Sequence, residues 1–517
     1  MTKIGGSISM MQPAGVLIFN QIGTAKEFRQ KLFLEFKVEE IVNLSALRFG
    51  LFQDAIAPTC IITICANQPD GEPLSYICPK PVGTNEDDYR IVIEPQDINA
   101  IYVQEAIADS LVWTALMWGG RRDLTLLRRL SREKSIEKLE NEGIVVKRQG
   151  IIRGDRKKSQ KRIIGRRILQ SARFPNSTFL FLDINNLPIN NDPETDSRAS
   201  TDFKAFEMPQ LILKQGWQKS SGRFQAAITQ GGNNEAGIIC SKSYISIHIP
   251  LKYFSVLESA CLTYNSKLAV YYLLLSSGRF ATYRPEPNVE DLLRVPIPEN
   301  FKVSLNTLKS LDDVDRHICE AFSLKDSESI LIEDLFNYTL PDFKGDSHSP
   351  GRKTTRSNLK NKSQDKNEIS LRNYCEYFLR VLKAGFGKNK DVCATIFQEK
   401  TPTNLPVRLV AIHLNQPEYE GVKVEMIDSP DLLEIMNRLN DMLLKTGDTE
   451  NGGIFYQRVA KVYASIELNG INIPTIYLVK PDKIRYWTRS MALRDADEVS
   501  ADIMTSQTQF DRELKFI

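Results

Sequence analysis

One segment limits how this chain can fold: residues 341–370 are polar almost throughout and interrupt a sequence that is otherwise rich in apolar residues. The segment, PDFKGDSHSPGRKTTRSNLKNKSQDKNEIS, holds very few side chains that a core could bury. Such a composition cannot offset the entropy lost on ordering the chain, so we expect a disordered linker here. The 517 residues must therefore fold as separate parts, and the length favours about two to four domains.

The reactive residues and the apolar runs limit the class of protein. The eight cysteines are scattered with no CxxC pair, and the chain has four histidines. This spacing favours neither a disulfide framework nor a zinc site, and it is typical of a reducing compartment. The longest apolar run, Leu268 to Leu275, is far shorter than the ~20 residues that span a membrane. We expect a cytoplasmic protein with no bound metal and no membrane contact.

Residues 1–98 alternate between strand and helix patterns. Apolar runs at Gly15–Phe19, Ile41–Leu44 and Thr59–Cys65 predict three strands, and the pattern from Ala25 to Phe36 predicts an amphipathic helix. Strands that are apolar throughout favour a sheet covered by helices. Three strands cannot close such a core, so further strands must complete it.

The rest of the chain divides by pattern into three further structured parts. Residues 99–144 predict helices with a break at Gly119-Gly120. Residues 145–340 predict a mixed α+β domain, and residues 371–517 predict a separate α/β module. The fold class expected from the sequence is thus α/β and α+β, with several domains.

A basic segment lies between Val145 and Arg173. It carries eleven basic residues against one acid, Asp155, a net charge of +10, whereas the whole chain has +3. Such a run can be merely solvated, but self-repulsion this dense favours an anionic partner, and the phosphate backbone is the commonest. We expect nucleic-acid contacts from ten of these residues: Lys147, Arg148, Arg153, Arg156, Lys157, Lys158, Lys161, Arg162, Arg166 and Arg167.

A second cluster combines cations, amides and one tryptophan on a glycine-containing turn. Gln and Arg side chains read base edges in a bidentate way, and an aromatic ring can stack on an extruded base. The alternative is a polar hairpin with an incidental tryptophan, and the residue chemistry alone leaves both open. The candidate DNA-binding residues of this cluster are Lys214, Gln215, Trp217, Gln218, Lys219 and Arg223.

Several catalytic motifs are missing from the sequence. There is no Pro-Pro dipeptide, and the glycine-rich stretch Ala384–Lys388 follows a helical pattern rather than a strand, which is the wrong context for a phosphate loop. No Gly-x-Ser-x-Gly or His-Glu-x-x-His motif occurs. We assign no catalytic residue, no metal ligand and no cofactor bound by this chain alone.

The order of these segments resembles the C-terminal portion of bacterial adenine-specific DNA methyltransferases, including type IIG enzymes and those of restriction-modification and phage-defence systems. Gln12–Phe19, Ile41–Ser45 and Ala57–Ile62 look like the last strands of that family's catalytic domain. Pro209–Lys214 and Lys242–Ile247 look like strands of its target-recognition domain. Asn265–Leu268, Ser277–Arg279 and Val295–Pro298 resemble the end of that domain.

The resemblance implies a division of the chain into five parts. They are the distal part of a Rossmann-like methyltransferase domain at residues 1–98, a helical connector at 99–144, a target-recognition domain at 145–340, the linker at 341–370, and a C-terminal module of unknown role at 371–517.

The resemblance also implies a partner. The family's donor-binding strands and its Asn-Pro-Pro-aromatic tetrapeptide should come before residue 10. We therefore expect this chain to bind double-stranded DNA while a partner methyltransferase chain supplies both motifs, and S-adenosylmethionine to be the cofactor of the complete enzyme. Only that complete enzyme would methylate adenine, and other defence-system subunits are further candidate partners.

Three alternatives stay open. The gene could be split or truncated, with the missing motifs encoded elsewhere. The chain could be a non-catalytic DNA-binding or scaffold subunit of a defence complex. Residues 371–517 could instead be a nuclease that uses Lys480 or Lys483, although no spacing of the acidic residues supports this.

Overall fold

The computed structural model is a mixed α/β protein with three five-stranded sheets in two compact units. One unit comprises residues 1–80 and 99–336, and the other comprises residues 81–98 and 337–517. The structure describes residues 3, 5–20, 23–51, 57–81, 91–152, 157–171, 173–196, 203–231, 236–282, 287–299, 304–346, 348–356, 369–386, 392–400, 405–414, 420–446, 459–468 and 470–514.

The secondary-structure elements, numbered in chain order, have the following bounds. Through residue 144 they are β1 (Ser7–Pro13), α1 (Gly23–Glu35), β2 (Lys37–Asn43), α2 (Arg48–Leu51), β3 (Thr59–Cys65), β4 (Leu74–Ile77), β5 (Lys80–Pro81), β6 (Ile91–Val92), β7 (Ile98–Ile101), α3 (Val103–Ala108), α4 (Leu111–Trp118), α5 (Arg121–Leu130), β8 (Lys134–Ser135) and α6 (Ile136–Asn141). From there to residue 336 they are β9 (Val146–Gln149), β10 (Lys157–Ser159), β11 (Ile168–Leu169), β12 (Phe181–Asp183), β13 (Glu194–Asp196), β14 (Gln210–Lys214), β15 (Ala226–Gln230), β16 (Ile239–Cys240), β17 (Tyr244–His248), α7 (Phe254–Asn265), α8 (Lys267–Ser276), α9 (Gly278–Thr282), α10 (Val289–Leu293), β18 (Pro296–Ile297), α11 (Leu311–Ala321) and α12 (Asp326–Asp334). The remaining elements are α13 (Leu340–Phe343), α14 (Ile369–Phe386), β19 (Val392–Glu399), β20 (Val407–Leu414), β21 (Gly421–Ile427), α15 (Ser429–Thr446), β22 (Ala460–Leu468), β23 (Ile471–Pro481) and α16 (Arg489–Leu514).

The N-terminal sheet has the strand order β1-β3-β2-β4-β7. Strand β3 runs antiparallel to both β1 and β2, so it lies between two strands that precede it in the chain. The strands predicted at Ile41–Leu44 and Thr59–Cys65 and the helix predicted from Ala25 are confirmed by β2, β3 and α1.

The strand predicted at Gly15–Phe19 is wrong. The sheet strand is β1, and the chain then turns into one π-helical turn, Gly15–Phe19. Leu17 and Ile18 in this turn are fully buried, and the buried Arg29 donates from Nη1 to their carbonyl oxygens at 3.2 and 3.4 Å. A short apolar run is typical of any buried segment, so its pattern could not distinguish strand from helix.

A buried polar contact joins the N-terminal sheet to α4. The Asn43 side-chain amide donates to the Tyr76 hydroxyl at 2.7 Å, and that hydroxyl donates to the Trp113 carbonyl at 2.8 Å. The Tyr76 and Trp113 rings meet edge to face, with centroids 5.2 Å apart, as aromatic pairs prefer. Helix α4 ends at Trp118 and α5 begins at Arg121, which confirms the break predicted at Gly119-Gly120.

The middle sheet has the strand order β12-β15-β14-β17-β9 and forms the core of residues 145–336. Strand β14 lies at its centre, antiparallel to β15 and to β17. The fully buried Gln210 of β14 is satisfied because its Nε2 donates to the Ile238 carbonyl at 2.8 Å and to the Ser246 hydroxyl at 2.7 Å. At the other end of β14, Lys214 pairs with Tyr244 of β17, and Ile245 of β17 pairs with Gln149 of β9, so the ends of these three strands lie side by side.

The C-terminal sheet has the strand order β21-β19-β20-β23-β22. Helices α14 and α16 cover one face, where Tyr374, Phe378 and Ala496 are buried, and α15 covers the other face through Leu432 and Leu439. Helices on both faces account for strands such as β20 that are buried along almost their whole length. No helix in the described part of the chain is long and apolar enough to cross a membrane.

Part of the segment predicted as a disordered linker is ordered. Thr355 donates to Asp482 Oδ1 through its amide at 2.9 Å and its hydroxyl at 2.6 Å, and Arg356 Nη2 lies 3.2 Å from Glu399 Oε2. Polar contacts at the end of the C-terminal sheet thus order these residues. The prediction of disorder rested on the low apolar content of the segment and could not take such contacts into account. Residues 347 and 357–368 of the segment lie outside the described residues.

A buried histidine lies within the C-terminal sheet. His413 contacts the Thr395 hydroxyl through Nε2 at 2.9 Å and the Thr475 hydroxyl through Nδ1 at 3.0 Å. Burial, and secondarily the charge of Lys423, lowers the pKa of His413 to about 4. Two threonine hydroxyls satisfy both ring nitrogens of a neutral imidazole, so the folded state holds the neutral form.

We predict that this histidine makes the protein less stable in mild acid. Between pH ~6.5 and about 4 the unfolded chain binds a proton that the folded chain excludes, so stability is full above pH ~6.5 and falls on acidification, by about 3 kcal/mol at most. Urea unfolding from pH 7.5 to 4, followed by circular dichroism, should show a smaller decrease for His413→Gln than for the wild type. Equal decreases in the two proteins would contradict the assignment.

Candidate nucleic-acid interface

One end of the middle sheet brings the two predicted DNA-binding segments together. Gln149, at the end of β9, donates from Nε2 to Gln215 Oε1 at 3.0 Å and to the Lys242 carbonyl at 2.8 Å. The backbone amide of Gln215 in turn donates to the Ser243 carbonyl at 3.0 Å. The end of β9, the turn after β14 and the turn before β17 thus form one continuous surface, which we call the sheet-end surface.

Cations surround the sheet-end surface. Lys242 and Arg173 are exposed, and Lys214 is half-buried. The pKa of Lys214 is lowered by its burial and, secondarily, by the charge of Arg173, which places these two cations near each other. Amides flanked by cations can contact base edges and phosphates together.

Arg148 lies inside the protein rather than on this surface. Its guanidinium stacks over the rings of Phe203 and Phe206, with its carbon 5.0 Å from each centroid. The side chain is buried, whereas its strand neighbours Lys147 and Gln149 are half-buried on the opposite face of β9. Its cation–π contacts support the core of the domain, and a phosphate could reach it only if they were exchanged.

Arg166 and Arg167 are also occupied within the fold. Arg166 donates to the Gly237 carbonyl at 2.8 Å and to the Phe206 carbonyl, and burial lowers the pKa of its guanidinium. Arg167 donates to the Leu187 carbonyl at 2.5 Å. An arginine keeps its charge when buried, so such carbonyl contacts are needed in the folded state.

The exposed cations of the basic segment lie around β10. Lys158, Lys161 and Arg162 are exposed, and we call these three the basic loop. No ion pair to them is found among the described residues. Lys147, by contrast, lies 3.6 Å from Glu140. Exposed unpaired cations are the ones that can release counterions by contacting phosphates.

Acidic residues oppose part of this charge. Strand β10 pairs antiparallel with β13, which places Lys157 opposite Asp196 and Ser159 opposite Glu194. Arg153, Arg156 and the side chain of Lys157 lie outside the described residues, so the prediction for them stays a prediction.

The second cluster divides between core and surface. Trp217 is buried and meets Phe280 edge to face at 5.5 Å. Gln218 accepts a hydrogen bond from Ser221 at 3.0 Å within a turn where Gly222 has a φ of +70°, a conformation that favours glycine. Lys219 is exposed. The ring of Trp217 therefore packs inside the protein below the turn and does not present a surface on which a base could stack.

Arg223 is the most firmly held residue of the cluster. Its two terminal nitrogens donate to Asp315 at 2.7 and 2.6 Å, and one of them also donates to the Asn265 carbonyl at 3.1 Å. The Arg223 side chain is only 6% exposed. A bidentate pair at this depth fixes the turn after β14 to α11, so base contact by Arg223 would require that pair to open.

Two residues of the sheet-end surface were not predicted as site residues: Gln149 and Lys242. A signal for them existed at Gly150. A Cβ at that position would lie 2.1 Å from the Ser241 carbonyl oxygen, so only glycine lets β9 approach the turn that carries Lys242.

Nucleophilic and metal chemistry find little support in the described residues. Burial raises the pKa of Cys60, Cys240 and Cys261 to about 12, so these thiols are protonated at neutral pH. No group of three metal-ligating side chains occurs in the part of the chain that the structure describes. Lys480, considered for a nuclease, is buried in an ion pair with Asp495.

No family model matches the chain, and no curated protein matches it. Function must therefore be inferred from the chain's own residues and contacts.

We predict different effects for two arginines near the sheet-end surface. Arg223→Ala leaves Asp315 without its bidentate partner and should cost about 3–5 kcal/mol of stability, whereas the exposed Arg173→Ala should cost less than about 0.5 kcal/mol. Urea unfolding of both variants measures this difference. If Arg223→Ala were as stable as the wild type but discriminated less between cognate and scrambled duplexes, Arg223 would be a base-reading residue instead.

Proposed function

We propose that this chain is the DNA-binding, target-recognition part of an adenine-specific DNA methyltransferase of a restriction-modification or phage-defence system. A partner chain would supply the donor-binding and catalytic motifs, and the complete enzyme would use S-adenosylmethionine. Acting on DNA in a bacterial cell would place the protein in the cytoplasm. The observation that carries the proposal is the outer edge of β1.

Strand β1 pairs with β3 along its inner edge, from Ser7 opposite Cys65 to Pro13 opposite Thr59. No strand pairs with its outer edge in the described part of the chain. Ile8, Met10 and Met11 are 40%, 44% and 55% exposed, so neither face of the strand is covered there. A seven-residue edge strand that exposes three large apolar side chains and has no partner on its outer edge in the described residues invites further strands, because folded proteins rarely leave such an edge open.

This edge supports the methyltransferase interpretation in a specific way. The resemblance places the donor-binding strands before residue 10, and β1 is the strand next to which they would lie. A sheet completed by a partner would bury the exposed residues of β1 and pair its outer amides and carbonyls. The Rossmann-like character of this sheet is part of the same proposal.

The basic loop and the sheet-end surface support the DNA-binding half of the proposal. Both lie in the domain that resembles a target-recognition domain. Exposed cations position a duplex through its phosphates, while the amides of Gln149 and Gln215 offer groups of the kind that contact base edges. A scaffold subunit of a defence complex would also bind DNA, but no complex that contains it would bind S-adenosylmethionine.

We predict that the basic loop binds phosphates of the duplex. Lys158→Ala/Lys161→Ala/Arg162→Ala should weaken binding to cognate and scrambled duplexes alike and flatten the plot of log affinity against log salt by roughly 0.9 for each phosphate that the variant no longer neutralises. The charge-matched control Lys26→Ala/Lys31→Ala/Lys309→Ala removes three other exposed cations of the same unit. Fluorescence anisotropy at several salt concentrations is the measurement, and equal slopes for both triple variants would contradict the assignment.

A further inference from the structure

Two large aliphatic residues are exposed next to the basic loop. Ile164 is 47% exposed and Ile189 is 52% exposed. The segments that carry them are hydrogen-bonded to each other: the amide of Gly165, next to Ile164, donates to the carbonyl of Asn190, next to Ile189, at 2.8 Å, and Ile189 forms a bridge with Arg167. We call these two segments, residues 163–168 and 188–190, the isoleucine tip.

Hydrogen bonds and buried side chains stabilise the backbone that carries the two exposed isoleucines. The buried Asn190 side chain donates to the Ile163 carbonyl at 2.9 Å and to the Asp192 carbonyl at 2.8 Å. Ile163 and Ile168, on either side of the turn, are buried in the core of the domain. Gly165 has a φ of +76°, which lets the chain turn between them. The exposed isoleucines therefore stand on a fixed support.

The charges around the tip favour a polyanion as its occupant. Lys161 and Arg162 come immediately before it and are exposed, and Lys158 lies on the adjoining strand. Two acidic residues, Asp192 and Glu194, lie nearby and are half-buried. Asp192 Oδ1 accepts a hydrogen bond from the backbone amide of Glu194 at 2.8 Å, so this carboxylate is engaged in a turn. Aliphatic side chains flanked by cations match duplex DNA, whose stacked bases are apolar and whose backbone is anionic.

We propose that Ile164 and Ile189 form a wedge that enters the minor groove of a duplex and partly unstacks a base step, while the basic loop holds the phosphates on either side. Apolar side chains inserted in this way kink the duplex by about 20–90°. Unstacking lowers the cost of extruding a base, which any enzyme acting on a base within a duplex must meet. This inference rests on the proposed DNA binding and adds DNA deformation to it.

The test compares the wild type with Ile164→Ser/Ile189→Ser on a 30-base-pair duplex carrying a fluorescent donor and acceptor at its ends. The wild type should raise the energy-transfer efficiency, because a kink brings the ends together. The double variant should bind with the same salt slope and at most roughly tenfold weaker, yet give no such rise. Leu251→Ser/Leu34→Ser, which removes two other exposed leucines of the same unit, should bend the duplex as the wild type does.

The outcomes separate this inference from the proposed function. If the wild type binds the duplex without changing energy transfer, or if the isoleucine variant bends it fully, the wedge is overturned and DNA binding stands. If the wild type does not bind at low salt, the proposed function fails together with the wedge. Circular dichroism of each variant shows whether it folds. Ile164→Val/Ile189→Val keeps the aliphatic surface and should therefore bend the duplex as the wild type does.

Discussion

A guanidinium keeps its charge inside a protein, so every buried arginine must be paired, and this requirement organises the domain formed by residues 145–336. Arg148 stacks on two phenylalanine rings, Arg166 binds two carbonyl oxygens, and Arg223 binds Asp315 in a bidentate pair. These contacts connect the middle sheet to the loops and helices around it. Some exposed arginines, such as Arg294 and Arg316, are held in ion pairs, whereas Lys158, Lys161 and Arg162 have no ion pair among the described residues and are the cations most accessible to an anionic partner.

The two surfaces central to the proposed function come from different sheets of the same unit. The middle sheet ends in a polar surface rich in amides and cations, whereas the N-terminal sheet ends in a strand that exposes apolar side chains and has no partner on its outer edge among the described residues. The first has the chemistry of a nucleic-acid contact and the second that of a protein contact through strand addition. A chain with both would hold a duplex on one part and complete a partner's sheet with another.

Many secondary-structure elements could be predicted from the spacing of apolar residues, because long amphipathic runs and wholly apolar runs are compatible with few secondary structures. β3 was predicted from Thr59 to Cys65 and lies there, and the break between α4 and α5 followed from a glycine pair. The strand predicted at Gly15–Phe19 was wrong because a five-residue apolar run is compatible with either a strand or a helical turn.

The candidate site was harder to predict. Charge density located the basic segment, but composition cannot tell that Arg148 stacks inside while Lys158 is exposed, since tertiary partners distant in sequence decide it. The structure brings Gln149 to Gln215 across 66 positions of the chain, a pairing that no local pattern contains.

We propose that this chain recognises DNA for a methyltransferase whose donor site lies on a partner. Calorimetric titration of S-adenosylmethionine tests it most directly when done twice, into the isolated 517-residue chain and into the complex purified from its native host through a tag on this chain. We expect no measurable heat of binding with the isolated chain and saturable binding with the complex. Micromolar binding by the isolated chain, or a complex that binds no donor, would contradict it.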